Sequence, residues 1–204
     1  MLWVCPPFNM LISGITNCGK TRFVLDLLVT EYRSCFDYIV IFCPTFKNNT
    51  SYDQRFIYED PDIIVLPPDL VQRDLNGLLR LCTEVYGACG QTLFLIDDCA
   101  NQRAAKTKSC ELTRLAFSGR HENISVWLVT QKYNAVVKDF RDNIRQCVLY
   151  YEKDRKSLED ALNENGIIPA EEHATIVEKL KATPHSKLVL RLEHPYPYEI
   201  VHGH

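Results

Sequence analysis

The stretch LISGITNCGKTRFV, from Leu11 to Val24, contains the motif that decides the fold. Four residues separate Gly14 from Gly19, and Lys20 and Thr21 follow directly. This spacing is typical of a loop whose backbone N–H groups surround the phosphates of a nucleotide, with the lysine on the β and γ phosphates. The threonine hydroxyl then holds Mg²⁺. An apolar run precedes the loop and an amphipathic stripe follows it, so the flanking strand and helix that this chemistry requires are present.

The loop and the first helical turn supply the predicted nucleotide contacts. These are Gly14, Thr16, Asn17, Cys18, Gly19, Lys20, Thr21 and Arg22. Because Cys18 lies at the start of a helix, we expect its thiol to have a lowered pKa and raised reactivity. The alternative at this point is a glycine-rich loop beside a surface lysine.

Short apolar runs alternate with longer amphipathic stretches along the chain. The runs are Asn9–Ser13, Tyr38–Phe42, Asp62–Leu66, Thr92–Ile96, Ile124–Val129 and Cys147–Tyr151. They lack a polar alternation, which is typical of parallel strands covered on both faces. Helices are predicted from Lys20, over about Asp69–Tyr86 and over about Lys106–Ser118. This order predicts an α/β fold, the three-layer P-loop NTPase fold with a mainly parallel central sheet and helices on both faces.

The length and composition are those of one globular domain. A chain of 204 residues, 46% of them hydrophobic, can bury a full core, so we predict a single domain over residues 1–204 with its core at about 9–151. The remainder, about 152–204, is predicted as an extension. It contains helices at about Asp154–Asn163 and about Ala170–Ala182, a strand at Ser186–Leu192 and a tail rich in Pro, Tyr and His.

Charge and cysteine usage narrow the cellular setting. The net charge of −3 gives no general attraction to nucleic acid or to an anionic membrane, so any DNA contact needs a local patch. The nine cysteines are scattered without disulfide or zinc spacing, and the six histidines are not clustered for a metal. With no signal peptide and no run long enough to span a bilayer, we expect reduced thiols and no metal beyond Mg²⁺.

A pair of acidic residues follows the apolar run TLFLI. Asp97 would hold the Mg²⁺ shell through water, because a nucleotide site of this kind needs an acidic residue at the tip of another core strand. Asp98 stands where many hydrolytic P-loop enzymes carry a longer glutamate that polarises the attacking water. The alternative for the pair is a helix N-cap.

The next predicted strand ends in a polar residue and follows a basic one. At the carboxyl end of a parallel strand, Gln131 can hydrogen-bond the γ-phosphate or the lytic water. Arg120, just before the strand, is of the type that stabilises charge on a transferred phosphoryl group, and Arg114 is the fallback candidate. A solvent-facing glutamine and helix-end cations that complement the dipole are the alternatives. The predicted catalytic residues are Lys20, Asp98, Gln131 and Arg120, and the predicted metal ligands are Thr21 and Asp97.

Three segments together resemble one family. GITNCGKT, LFLIDDCA and GRHENISVWLVTQ are similar to motifs of the FtsK–HerA superfamily of P-loop ATPases, and more narrowly to genome-packaging ATPases of large DNA viruses and Maverick/Polinton-type elements. The segment IVIFCPTFKNN also resembles that group. The resemblance covers roughly Asn9 to Tyr150, and its most discriminating part is the Arg-His-Glu-Asn run before a strand that ends in Thr-Gln.

The resemblance implies a motor that forms an oligomeric ring, hydrolyses ATP with Mg²⁺ and translocates double-stranded DNA into a capsid. Its partners would be DNA bound without sequence preference, further copies of the chain and a viral capsid or portal-like component, with no membrane. In that group an arginine at the position of Arg120 acts on the neighbouring subunit. Asp98 departs from the glutamate that bacterial members usually carry, which leaves the identity of the base open. The implied setting is the host cytoplasm or nucleus, or the virion.

Two basic stretches are candidates for the DNA contact. The first contains Arg103, Lys106 and Lys108, which would line a pore and neutralise phosphates without reading bases. The second contains Lys132, Lys138, Arg141 and Arg145. The alternative for both is a solvated helix face.

Two other functions are compatible with a phosphate loop. A phosphotransferase, such as a nucleotide kinase, would need an arginine-rich lid and an acceptor pocket, and the sequence shows no such insertion. A nucleotide-dependent assembly switch would bind nucleotide with little turnover. Nucleotide hydrolysis with and without duplex DNA distinguishes both from a motor.

Overall fold

The computed structural model describes residues 3–99 and 110–202. Eight strands of these residues form one sheet: β1 (Asn9–Ser13), β2 (Tyr38–Phe42), β3 (Ile63–Val65), β4 (Thr92–Asp97), β5 (Ile124–Thr130), β6 (Gln146–Tyr150), β7 (Lys187–Arg191) and β8 (Tyr198–Val201). Their spatial order is β3-β2-β4-β5-β1-β6-β7-β8. The pairs from β3 to β6 are parallel, and β7 and β8 add antiparallel pairs at one end. The predicted, mainly parallel sheet is confirmed.

Both faces of the sheet are buried, which explains why the predicted strands are apolar without alternation. Within β1, Leu11 packs into one core cluster, whereas Met10 and Ile12 pack into the other on the opposite face. The same division repeats in β4 and β5. A parallel strand inside such a sheet is apolar at every position because neither face meets water.

Helices cover both faces of the sheet, as predicted. Their bounds are α1 (Lys20–Val29), α2 (Arg55–Glu59), α3 (Pro68–Arg73), α4 (Leu75–Tyr86), α5 (Glu111–Ser118), α6 (Lys138–Arg141), α7 (Arg155–Asn165) and α8 (Ala170–Ala182). Helix α1 packs on one face, and α4, α5, α7 and α8 pack on the other. None of the helices within the described ranges has the length and apolar character needed to cross a membrane.

Two predictions of local structure are wrong. The single helix expected over about Asp69–Tyr86 is divided into α3 and α4 at Asp74, which has φ −149° and ψ 72°. The carboxylate of Asp74 accepts a hydrogen bond from the N–H of Gly77 at 2.8 Å and so caps the start of α4. The tail, for which the sequence predicts no strand, forms β8 and pairs with β7. The break at Asp74 and the strand β8 both depend on contacts that cannot be predicted from the pattern of apolar residues.

The C-terminal extension continues the sheet and reaches the phosphate loop. β7 pairs with β6, and the turn before β7 places Nδ1 of His185 at 3.1 Å from the carbonyl oxygen of Cys18. At the start of β7, the ammonium of Lys187 lies over the rings of Phe23 and Tyr150. The extension therefore supports the phosphate loop from outside the motif itself.

Candidate nucleotide-binding site

The carboxyl ends of three neighbouring parallel strands bring the predicted motifs together. The strands β4, β5 and β1 are adjacent in the sheet. Ser13 pairs in register with Thr130, and Asp97 pairs with Val129. The phosphate loop after β1, the acidic pair at the end of β4 and Gln131 after β5 therefore share one edge, where α/β folds bind ligands.

A cavity of about 550 Å³ opens at this edge. Eight predicted site residues line it: Thr16, Asn17, Gly19, Lys20, Thr21, Asp97, Asp98 and Gln131. The opposite wall comes from the loop after β2, through Thr45 and residues 48–51. The motifs that are far apart in the sequence thus form one polar cavity of a size suited to a nucleotide.

Two glycines shape the phosphate loop. A Cβ atom on Gly14 would lie only 2.4 Å from the Cβ of Tyr150, so a side chain at this position would clash with β6. Gly19 has φ +94°, a left-handed conformation that glycine adopts without steric penalty. Gly19 also precedes α1, and the unpaired N–H groups at the start of that helix lie where phosphate oxygens bind.

Lys20 is buried beside the cavity. Its ammonium donates hydrogen bonds to the carbonyl oxygens of Gly14 and Ile15, each at 2.7 Å. Because Lys20 is only 9% exposed, its charge requires such acceptors. These contacts hold a positive charge inside the loop.

Thr21 and Asp97 form the predicted metal-side pair. The Thr21 hydroxyl donates to Oδ2 of Asp97 at 2.8 Å, and the phenol of Tyr52 donates to the same oxygen at 2.9 Å. Burial raises the pKa of the Asp97 carboxyl to about 6, although both hydrogen bonds lower it. Mg²⁺ takes oxygen ligands and usually binds one or two carboxylates together with waters and substrate phosphates. A hydroxyl and a carboxylate at this separation fit such an ion.

Asp98 is exposed and lines the same cavity. Its Oδ2 accepts a hydrogen bond from Thr45 at 3.0 Å, and its Oδ1 accepts one from Nε2 of Gln131 at 3.5 Å. Its φ of +58° is left-handed, a conformation that aspartate tolerates better than most residues and that is often found at functional sites. Thr45 and Gln131, which follow the strands on either side of β4, thus orient the Asp98 carboxylate beside the metal-side pair.

Sequence reasoning missed the residues of the loop after β2. This loop forms two short 3-10 turns between residues 46 and 52. Thr45 contacts Asp98, and Tyr52 contacts Asp97, so the loop binds both members of the acidic pair. The polar run KNNTS, which follows the apolar run YIVIF at the same edge of the sheet, is the signal that predicts a ligand-facing loop.

Three predicted nucleotide contacts lie outside the cavity lining. Gly14 contributes a carbonyl oxygen to Lys20, and the guanidinium of Arg22 pairs with Asp26 at 2.9 Å. The prediction of a lowered Cys18 pKa is wrong, because burial raises it and the nearby ammonium of Lys20 only partly opposes this effect. Desolvation penalises the thiolate more than the helix N-terminus favours it.

The fallback candidate Arg114 belongs to an ion-pair network. Its Nε lies 2.5 Å from Oε1 of Glu111, and its Nη1 lies 2.5 Å from Oε1 of Glu122. Nη1 also donates to the hydroxyl of Ser118 at 3.0 Å. A guanidinium with this set of partners ties α5 to the turn that follows it and is not available to a phosphate.

Arg120 lies in that turn, Gly119–Glu122, directly before β5. Its side chain is exposed and forms no hydrogen bond or ion pair within the described part of the chain. Because β5 is seven residues long and a strand rises about 3.3 Å per residue, roughly 20 Å separate this turn from Gln131 at the other end. The structure does not bring Arg120 to the cavity of its own chain.

The two basic stretches have different outcomes. Arg103, Lys106 and Lys108 lie outside the described residues. Every member of the second stretch has an acidic partner, in the pairs Lys132–Asp154, Lys138–Asp142, Arg141–Glu164 and Arg145–Glu193. A cation that is already paired gains less from a phosphate, so the second stretch is a poor candidate for the DNA contact.

Solved structures of low sequence identity share this fold. The genome packaging NTPase B204 from Sulfolobus turreted icosahedral virus 2 in complex with AMP has a TM-score of 0.73 at 14% identity, with 98% of each chain covered. B204 from Sulfolobus Turreted Icosahedral Virus, a DNA-packaging ATPase, has a TM-score of 0.68 at 13% identity and the same coverage. EssC (ATPases 2 and 3) from Geobacillus thermodenitrificans has a TM-score of 0.57 at 13% identity, over 95% of this chain and 39% of that one. The predicted P-loop NTPase fold is confirmed.

The family assignment rests on a match over most of the sequence. No curated protein sequence matches this chain significantly. One family model, described as Poxvirus A32 protein, matches residues 4–185, which include the phosphate loop, the acidic pair, Arg120 and Gln131. The chain therefore belongs to the Poxvirus A32 protein family.

Proposed function

We propose that this chain is a Mg²⁺-dependent, ATP-hydrolysing motor that moves double-stranded DNA into a viral capsid. The observation that carries the proposal is that one cavity is lined by Lys20, Thr21, Asp97, Asp98 and Gln131. Membership of the Poxvirus A32 protein family and the likeness to a genome packaging NTPase support the motor function. The B204 structures in complex with AMP and with ATP-gammaS support an adenine nucleotide as the ligand.

The cavity has a binding side and a reacting side. On the binding side, Lys20 exchanges its loop carbonyls for the β and γ phosphates, and the N–H groups at the start of α1 bind phosphate oxygens. Thr21 and Asp97 would hold Mg²⁺, which neutralises charge on the phosphates. On the reacting side, Gln131 orients the attacking water against the γ phosphorus, and Asp98 takes a proton from that water. The bond between the γ phosphorus and the β–γ bridging oxygen breaks as the water attacks.

Arg120 completes the site of a neighbouring copy in this proposal. Its place at the amino edge of the sheet keeps it away from its own cavity and exposes it to another chain. A head-to-tail contact would set the amino edge of one copy against the carboxyl edge of the next. Such heterologous contacts close into rings when the rotation allows it. A guanidinium supplied in this way stabilises the charge of the phosphoryl group in transfer.

DNA would contact residues other than the ion-paired stretch. We assign this contact to Arg103, Lys106 and Lys108, between the acidic pair and α5. Contacts between such cations and phosphates are independent of sequence and weaken as salt displaces the protein. A capsid or portal-like component would be the further partner, in the host cytoplasm or nucleus or in the virion.

The experiment that tests the function is ATP hydrolysis with and without duplex DNA across a salt series. We expect DNA to stimulate hydrolysis, the stimulation to fall as salt rises, and Lys20→Ala to abolish hydrolysis. Lys179→Ala, at an exposed lysine of α8, is the matched control and should retain the wild-type rate. ATP consumption only with an added nucleoside monophosphate would contradict the motor and indicate a phosphotransferase, and tight binding without turnover would indicate a switch.

A further inference from the structure

The Asp97 carboxylate is held from one side only. Its two hydrogen bonds, from Thr21 at 2.8 Å and from Tyr52 at 2.9 Å, both end on Oδ2. Oδ1 accepts no hydrogen bond from the rest of the described chain. The protein therefore fixes one oxygen and leaves the lone pairs of the other for a water in the shell of a metal ion.

Tyr52 is rigidly placed for this contact. It is fully buried, and its ring centroid lies 4.7 Å from that of Phe46. It also ends the 3-10 turn that Asn49 begins by accepting a hydrogen bond from the N–H of Ser51. Because a phenol is protonated near neutral pH, the Tyr52 hydroxyl acts as the hydrogen-bond donor to Asp97.

Thr21 alone does not define the orientation of the carboxylate. The Thr21 hydroxyl offers a lone pair to a metal and donates its proton to Asp97, which fixes the position of one carboxylate oxygen. The Asp97 carboxylate can still rotate about its Cβ–Cγ bond. Tyr52 supplies a second donor from a different element, the loop after β2, whereas Thr21 belongs to α1. Two donors from separate elements fix the plane of the carboxylate as well as its position.

We propose that Tyr52 is a positioning residue that orients Asp97 for Mg²⁺. This inference rests on the proposed function, because it assumes that Asp97 takes part in binding the ion. The phosphate-loop and acidic motifs do not include Tyr52, since it lies 45 residues before Asp97 in the chain.

Tyr52→Phe tests the inference because it keeps the ring and its packing and removes only the donor. The readout is the affinity for ADP with Mg²⁺ and with a chelator, measured by titration calorimetry. In the wild type we expect Mg²⁺ to tighten binding. In Tyr52→Phe we expect this gain to fall about tenfold, the size typical of a hydrogen bond to a charged group, with Mg²⁺-free affinity unchanged. In turnover, the Mg²⁺ concentration for half-maximal rate should rise while kcat at saturating Mg²⁺ stays within about twofold.

Two further variants separate positioning from packing. Tyr32→Phe removes the donor of another buried phenol, which bonds the carbonyl of Val4 at 2.9 Å away from the cavity, and should leave the Mg²⁺ dependence unchanged. Phe46→Leu loosens the packing around Tyr52 but keeps its hydroxyl, and should lose much less of the Mg²⁺ dependence than Tyr52→Phe. Equal losses in Phe46→Leu and Tyr52→Phe would contradict positioning, because loop packing would then decide the affinity.

The outcomes distinguish this inference from the proposed function. An unchanged Mg²⁺ dependence in folded Tyr52→Phe would overturn the role of Tyr52 and leave ATP hydrolysis by the motor intact. A wild type that binds ADP equally well with and without Mg²⁺ would overturn both the inference and the metal part of the proposed function.

Discussion

The carboxyl and amino edges of the sheet differ in how their charged side chains are used. At the carboxyl edge, the side chains of Lys20, Asp97 and Asp98 are engaged with polar groups from neighbouring strands and loops around the cavity. At the amino edge, Arg114 is engaged by two glutamates, whereas Arg120 six residues later is exposed and forms no ion pair within residues 3–99 and 110–202. An exposed guanidinium costs little in water, and it acts on a phosphate only where a second chain brings a nucleotide to it. The comparison is consistent with the proposed division of one catalytic site between two copies.

Removing Arg120, the exposed cation at the amino edge, should have the largest effect on ATP hydrolysis. We expect Arg120→Ala to lower kcat for ATP hydrolysis by about 10³-fold or more, because an arginine supplied in trans contributes on that scale. ATP affinity should change little, because the chain's own cavity is intact. Arg80→Ala, at an exposed arginine of α4, is the control and should hydrolyse ATP at the wild-type rate. Wild-type turnover in Arg120→Ala would contradict the proposal that the catalytic site is divided between two copies.

Removing the proposed base, Asp98, from the carboxyl edge should have the next largest effect. Asp98→Asn retains an oxygen for the hydrogen bond from Thr45 and tolerates the left-handed backbone, but it cannot take a proton from water. We expect single-turnover hydrolysis to fall by about 10²–10³-fold with ATP affinity within about threefold of the wild type. A variant that hydrolyses ATP normally would show that another group is the base.

Arg114→Ala sharpens the contrast between the two arginines. The Arg114 side chain is 40% exposed, so solvent screens its pairs with Glu111 and Glu122 and we expect a stability loss of only about 1 kcal/mol. In a domain of this size the melting temperature should fall by about 2–4 °C, as measured by thermal unfolding. The kcat of the folded variant should equal that of the wild type. A catalytic loss as large as that of Arg120→Ala would reverse the roles of the two residues.

Glu152 gives the smallest expected effect and tests whether every buried carboxylate near the carboxyl edge serves catalysis. Glu152 is 2% exposed and accepts a hydrogen bond from the N–H of Tyr133 at 3.1 Å. Burial raises the pKa of its carboxyl above the usual range. The folded protein thus binds this proton more tightly than the unfolded chain, and the associated stability is present below about pH 4.3 and lost as pH rises through the raised pKa.

Glu152→Gln removes that titration. We expect its melting temperature to exceed that of the wild type by about 2 °C at pH 8, with the difference shrinking toward zero at pH 4. ATP hydrolysis should be unaffected, because Glu152 does not line the nucleotide cavity. A difference that is constant with pH would show that the carboxyl has the same pKa in the folded and unfolded chain.

The sequence predicts the carboxyl edge well because local patterns define it. An unbroken apolar run followed by a polar residue marks the end of a buried parallel strand, and the ends of β1, β4 and β5 necessarily meet at one edge. That rule is sufficient to bring Lys20, Asp97 and Gln131 together. It gives no information on Tyr52 or Thr45, because their contacts depend on how an irregular loop folds back over the sheet.

The other differences have similar tertiary causes. Arg114 and Arg120 have the same chemistry in the sequence, and only the packing of α5 against the turn shows which one is ion-paired. The raised pKa of the Cys18 thiol follows from its burial, which an expectation based only on its place at the start of a helix does not include. The break at Asp74 interrupts an apolar periodicity that is otherwise continuous, and β8 depends on an edge that the extension itself creates.

Mixing two inactive variants tests the divided site most directly. Lys20→Ala removes the proposed nucleotide-binding cation and Arg120→Ala removes the cation proposed to act on a neighbour, so we expect neither variant alone to hydrolyse ATP. In a mixture, an intact cavity on an Arg120→Ala subunit can meet an intact Arg120 on a Lys20→Ala subunit. We predict that DNA-stimulated hydrolysis reappears and peaks near equal proportions. A mixture as inactive as its components, with co-assembly verified by light scattering, would contradict the account.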